Sequence, residues 1–139
     1  MSITYLPEQS LTIGDRTVGV GHPPLLIAEI GINHNGEIER AKTLIRAAKK
    51  CGAHAVKFQK RNLEEIYTRD ILEHLESYEQ GFQYLIPILR RFELSNFEMR
   101  ELKVFAESLG LLFLCTAFDE TSAQFLHEID LQAFKVSSA

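Results

Sequence analysis

Four short, nearly continuous apolar runs, at residues 25–30, 53–59, 111–116 and 133–137, alternate with segments whose apolar residues recur three or four positions apart. Runs of the first kind fit strands buried on both faces, and spacing of the second kind fits helices with one buried stripe. Ile38, Ala41, Leu44, Ile45 and Ala48 form such a stripe, and Gly52 stands where a left-handed residue ends a helix. Ser95 and Glu98 make a capping box that opens a second helix, with Phe97, Leu102, Phe105, Ala106 and Leu109 as its buried side and Gly110 as its end. Asp119 caps a third helix running to about Glu128. The order βαβαβαβ with short connections implies a parallel sheet with right-handed crossovers.

Two stretches depart from the alternation. Residues 11–20 read as a hairpin around Gly14-Asp15, so residues 1–24 form a hairpin and lead-in and residues 25–139 the parallel unit. Residues 60–94 are too long for an ordinary connection and read as a lid or an interface, with helical spacing over 70–78 and with Gly81 and Pro87 as punctuation.

The chain has 139 residues, 45% hydrophobic and 24% charged. A chain of this length buries roughly two thirds of its unfolded surface, enough for a core without disulfides. The net charge of −4 leaves no basic stripe, which excludes a phosphate-backbone binder and makes nucleic acid an unsuitable partner, while leaving room for a small anionic ligand. Cys51 and Cys115 stand alone, as packing residues of a reducing compartment. No run approaches the roughly 18 apolar residues of a membrane span, and the first ten residues lack a signal pattern, so the expected location is the cytoplasm.

Glu29, Lys57 and Lys135 interrupt runs that otherwise read as buried, where an unpaired charge costs several kcal/mol. Each must pair with another charge or serve a ligand. Period two places Ile27 with Glu29, Ala55 with Lys57 and Gln59, Leu114 with Thr116, and Ala133 with Lys135 and Ser137. On every strand the apolar or small residues come first and the polar ones last, at the carboxyl end where parallel α/β proteins bind ligands. Two lysines with Thr116, Ser137 and Ser138 suit a phosphate or a carboxylate, and Glu29 remains to handle a proton or a hydroxyl. The plainer alternative is a core ion pair of Glu29 with Lys57 or Lys135.

Gly31-Ile32-Asn33-His34-Asn35-Gly36 is rich in turn formers and leads into a helix N-terminus, which favours anions. Asn33 and His34 are therefore candidate substrate contacts, although in such a turn they also serve simply to satisfy backbone groups. His22, His54, His74 and His127 make no close-spaced pair, so no metal site is read within this chain. Phe58 and Phe134, beside the lysines, read as helix-facing core.

Ile27-Ala28-Glu29-Ile30-Gly31-Ile32-Asn33-His34-Asn35-Gly36, Ala55-Val56-Lys57-Phe58-Gln59, Phe92-Glu93-Leu94-Ser95, Cys115-Thr116-Ala117-Phe118-Asp119 and Phe134-Lys135-Val136-Ser137-Ser138 resemble, in this order and spacing, the N-acetylneuraminate (sialic acid) synthase family. The resemblance runs from about Leu11 to the last residue. It implies the first half of a (β/α)8 TIM barrel, with four parallel strands and three to four helices after an N-terminal β-hairpin. It also implies condensation of phosphoenolpyruvate with an open-chain N-acetylmannosamine-type sugar to a nine-carbon 2-keto sugar acid, with release of phosphate. The enol C3 attacks the aldehyde, charge develops at C2, water adds and phosphate leaves. Carried over by position, Lys57, Thr116, Lys135 and Ser138 hold the phosphate and carboxylate of phosphoenolpyruvate. Glu29 lies near the sugar aldehyde, orienting or protonating the nascent hydroxyl, and Gln59 belongs to the same site. The family further implies a divalent metal, Mn2+ or Mg2+, bound by histidines beyond residue 139, and a homodimer of the full-length form.

Ala117 departs from the Thr-Pro-Phe version of its motif, which loosens the loop without removing Thr116. A full barrel needs roughly 250 residues, so the expectation is the front half of an enzyme, inactive alone. Two rivals stand beside it. Lys57 or Lys135 could form a Schiff base, as in lysine aldolases, or the chain could be a non-catalytic anion-binding half-barrel whose open strand edges favour association. A five-stranded doubly wound sheet competes as architecture, but its ligand groups would gather at one switch point rather than on every strand end.

Overall fold

A computed structural model describes residues 10–137. The hairpin pairs β1 (Ser10–Ile13) with β2 (Arg16–Gly19), and Gly14 supplies the positive φ of +61° that the tight turn requires. The parallel sheet comprises β3 (Ile27–Gly31), β4 (Ala55–Lys60), β5 (Leu112–Ala117) and β6 (Phe134–Val136), in the order β3-β4-β5-β6. Spatial order equals chain order with no reversal, as in a barrel wall. A doubly wound sheet would reverse at a switch point.

The crossovers are the three expected helices, α1 (Ile38–Lys50), α5 (Asn96–Ser108) and α6 (Glu120–Glu128). The α1 stripe is buried or half-buried throughout and Gly52 follows at φ +82°. The capping box of α5 is complete: Ser95 Oγ accepts from Glu98 N (3.3 Å) and Glu98 Oε2 accepts from Ser95 N (2.8 Å). Asp119 caps α6, its Oδ1 accepting from Ser122 N at 2.6 Å. These helices pack on one face of the sheet, against Ile30, Val56, Phe58, Phe113 and Cys115.

The excursion is not a loose lid. It folds as α2 (Leu63–Ile66), α3 (Arg69–Glu73), a 3-10 turn (Leu75–Ser77) and α4 (Gln80–Phe92), around a small second core of Leu63, Ile86 and Leu89. Ile32, from the turn after β3, packs against that core. Gly81 and Pro87 do not punctuate, since both lie inside α4. Phe82, Ile86 and Leu89, spaced four and three apart, dock the helix, while Pro87 faces solvent and forfeits one backbone bond.

Five burial expectations are corrected. Phe97 is 75% exposed because it sits in the first turn of α5, and Met99 takes the buried place. Phe134 is 47% exposed and Lys135 is exposed, because β6 is an edge strand that no helix of the described residues covers. The run around β3 is not buried on both faces: Ile27 and Glu29 are exposed on the side away from the helices. Cys115 is buried as expected, but Cys51, just past α1, is exposed.

Candidate active site

Alternation along β4 sends Val56, Phe58 and Lys60 toward the helices and Ala55, Lys57 and Gln59 toward the opposite face. Cross-strand register aligns Glu29 with Lys57, Gln59 with Thr116, and Thr116 with Lys135. The polar residues singled out on four strands thus fall on one face of the sheet. Lys57 joins two of them directly, its Nζ lying 2.7 Å from Glu29 Oε2 and donating to Thr116 Oγ1 at 3.2 Å. The burial of the ion pair is lopsided: the Lys57 side chain is 8% exposed and that of Glu29 is 63% exposed. One cation is therefore held in a dry wall while its counterion stays wet. In such an arrangement an anion that reaches the ammonium can displace or supplement the exposed carboxylate.

The other candidates sit elsewhere. His34 is buried beside Phe58, with ring centroids 5.9 Å apart, so it lies with the helix-side core. Its Nδ1 accepts the Gly36 N–H at 3.1 Å, which ties the turn together. Burial holds the His34 pKa below the usual histidine value, outweighing the opposing effects of the Gly31 backbone and Glu98. Asn33 is exposed at the turn. Ser138 lies outside the described residues. Among the described residues no cluster of three or more His, Cys, Asp or Glu side chains could hold a metal. Glu29 is the one carboxylate among the candidates on this face, and a Mg2+ or Mn2+ ion demands more oxygen ligands, so the described residues do not by themselves make the implied metal site.

Lys60 and Arg61 escaped the sequence reading, and Glu93 entered it only as part of a motif, with no role assigned. Glu93 Oε1 accepts from Lys60 Nζ (2.9 Å) and from Arg61 N (3.3 Å), and Lys60 Nζ also donates to Leu94 O (2.8 Å). This knot ties the end of β4 to the start of α5 and lines a cleft of about 380 Å³ that also includes Asn62, Ser122 and Phe125. Arg61 is buried, with its guanidinium carbon 4.5 Å from the Phe118 ring centroid and Nη2 donating to Gln59 Oε1. Burial lowers its pKa from the ordinary guanidinium value. The available signal was period two carried one step past the strand: 57, 59 and 61 are all polar. No helix among the described residues is long and apolar enough to cross a membrane.

Comparison with known proteins bears on the family and the fold. The chain is 40% identical over 130 residues to the uncharacterized protein MJ1065 of Methanocaldococcus jannaschii, covering 94% of this chain and 35% of that protein. It is 42% identical over 125 residues to the N-acetylneuraminate-9-phosphate synthase of Homo sapiens, covering 88% and 34% respectively. Among solved structures it is similar to the N-acetylneuraminic acid (sialic acid) synthetase of Leptospira borgpetersenii, crystallised with citrate, with a TM-score of 0.75 and 29% identity over 92% of this chain and 41% of that one. The chain spans about a third of the length of the curated relatives it matches. With that likeness, the four strands are those of a barrel-type synthase wall. The NeuB family model matches residues 44–139, and the chain belongs to the NeuB family of sialic acid-type synthases.

Proposed function

We propose that this chain carries the phosphoenolpyruvate-binding wall of a sialic acid-type synthase that condenses phosphoenolpyruvate with an N-acetylmannosamine-type sugar. The observation that supports this most is the buried Lys57 ammonium between Glu29 and Thr116, with Gln59 and Lys135 in register on the same face. Lys57 and Lys135 neutralise the phosphate and carboxylate, and the hydroxyls of Thr116 and Ser138 donate to the same oxygens. When the enol C3 bonds to the aldehyde carbon, the aldehyde oxygen gains an electron pair, and Glu29, exposed to water, orients it or passes it a proton taken from solvent. Water then adds at C2 and the C2–O bond to phosphate breaks. His34 acts indirectly by bracing the turn, and Asn33 is left free to reach substrate from it.

The proposed setting is the cytoplasm, as a homodimer in the full-length form. With one wall of the site, the 139 residues bind phosphoenolpyruvate but release no phosphate from it. Titration calorimetry with phosphoenolpyruvate on the chain and on Lys57→Met tests the reading. Binding that disappears in the variant supports it; equal binding by both overturns it. Phosphate release on adding N-acetylmannosamine would refute the inactivity of the 139 residues alone. The Schiff-base alternative fits Lys57 less well, because its Nζ is engaged with a carboxylate and a hydroxyl, and Lys135 less well because it is exposed on an edge strand. Borohydride trapping of a pyruvate adduct on Lys57 would reinstate it.

A further inference from the structure

We infer that Arg61 is a positioning residue, locking the Gln59 side-chain amide with its Nε2 protons presented to the anion held at Lys57; this rests on the function proposed above. Lys57, Gln59 and Arg61 alternate onto one side of β4 and its extension, and Arg61 is only 6% exposed although it lies past the strand's last residue. Its backbone N–H is held by Glu93, and its guanidinium lies over Phe118. The group is therefore fixed in both position and plane.

A guanidinium has five donors and no acceptor, so the amide atom it faces must be the oxygen. Nη2 donates to Gln59 Oε1, and the amide nitrogen is turned the other way. That nitrogen lies beside Gly31: a Cβ built on Gly31 would be 3.7 Å from Gln59 Nε2, so the amide nitrogen faces the end of β3. Across the sheet Gln59 is paired with Thr116, whose hydroxyl already contacts Lys57. Two amide protons thus lie on the same face of the sheet as the Lys57 ammonium. Without Arg61 the amide could turn over and offer an oxygen to an anion, which repels it.

A second observation sets Arg61 apart from an ordinary structural arginine. Its Nη1 is buried with no hydrogen-bond partner among the described residues. A donor left unmet weakens a fold, and its retention is expected where a side chain is kept for its orientation rather than for stability.

The test is a double-mutant cycle on the 139-residue chain, read as phosphoenolpyruvate affinity by calorimetry. Arg61→Met, which keeps an apolar stem on Phe118, and Gln59→Ala each weaken binding about tenfold, the scale of one hydrogen bond to a charged group. The double variant weakens it no further than the worse single one. Gln59→Glu keeps a partner for Arg61 but replaces the donor with an acceptor, and it weakens binding more than Gln59→Ala. Additive losses in the cycle, or Gln59→Glu binding as tightly as the unmodified chain, overturn the inference. If Arg61→Met does not fold, nuclear magnetic resonance on the unmodified chain decides. Exchange-protected Arg61 Nη signals and Gln59 Nε2 protons that shift on adding phosphoenolpyruvate support the inference; averaged Nη signals or an unmoved amide overturn it. Lys57→Met separates the two claims: unchanged affinity in that variant, or no binding by the unmodified chain, brings down the function proposed above and this inference with it. Additivity with Lys57 still essential brings down only the role of Arg61.

Discussion

Neutralising either end of the Glu29–Lys57 pair removes the same 2.7 Å contact, yet the two changes will not cost the same. In Lys57→Met the surviving carboxylate is 63% exposed and water takes over its solvation, so the loss resembles that of an exposed pair, about 0–1 kcal/mol. In Glu29→Gln the surviving ammonium is 8% exposed and keeps Thr116 Oγ1 at 3.2 Å and an uncharged amide oxygen, but no countercharge. Breaking a fully buried pair costs about 3–5 kcal/mol, and with half of this pair already wet a value of about 2 kcal/mol is expected. The double variant, with no buried charge left, recovers most of the difference. Urea unfolding at pH 7 with an unchanged m-value measures all three. A Lys57→Met variant as unstable as Glu29→Gln would refute the argument, because it would mean that the carboxylate, not the ammonium, bears the desolvation.

Three further outcomes follow from the same geometry. Gly36→Ala should cost about 2 kcal/mol or more, because φ is +77° and the new Cβ would stand 2.6 Å from the Arg91 carbonyl oxygen, whereas Gly52→Ala, at φ +82° with open space around it, should cost about 1 kcal/mol; denaturant midpoints compare them. Burial pushes the Cys115 thiol up to about 12, so an alkylating reagent at pH 8 should label exposed Cys51 and reach Cys115 only on unfolding, as peptide mass mapping will reveal. The folded His34 pKa is depressed, so the unfolded chain binds the extra proton first; the stability due to neutral His34 is complete above the ordinary histidine pKa and is lost as pH falls below it. Thermal melts at pH 7.5 and 5.5 should therefore show a larger drop in the native chain than in His34→Gln.

The crossover helices were legible because each carries its own boundary chemistry: a stripe and a left-handed glycine for α1, a capping box for α5, an aspartate cap for α6. Glu29, Lys57, Gln59, Thr116 and Lys135 were legible as a set because a strand has period two, which makes facing a matter of counting. Residues 60–94 were not, since α2 and α3 have four and five residues, too short to hold themselves, and exist only by docking on Leu63, Ile86 and Leu89. Pro87 misled for the same reason: tertiary packing of Phe82, Ile86 and Leu89 overrode a local helix breaker. Period two puts Arg61 one step past Gln59, but its burial was hidden because the groups that cover it and hold its backbone, Phe118 and Glu93, are 57 and 32 positions away.

The hairpin tip bears on how such a site would fill. A Cβ on Gly14 would stand 2.5 Å from Leu112 Cδ2, so the turn is pressed against the base of the face that carries Lys57. The hairpin thus covers the amino-terminal end of that face, opposite the end where Gly31 and Gln59 lie. An anion drawn to Lys57 is thereby kept from coming past the hairpin, and the polar carboxyl ends of the strands become its approach.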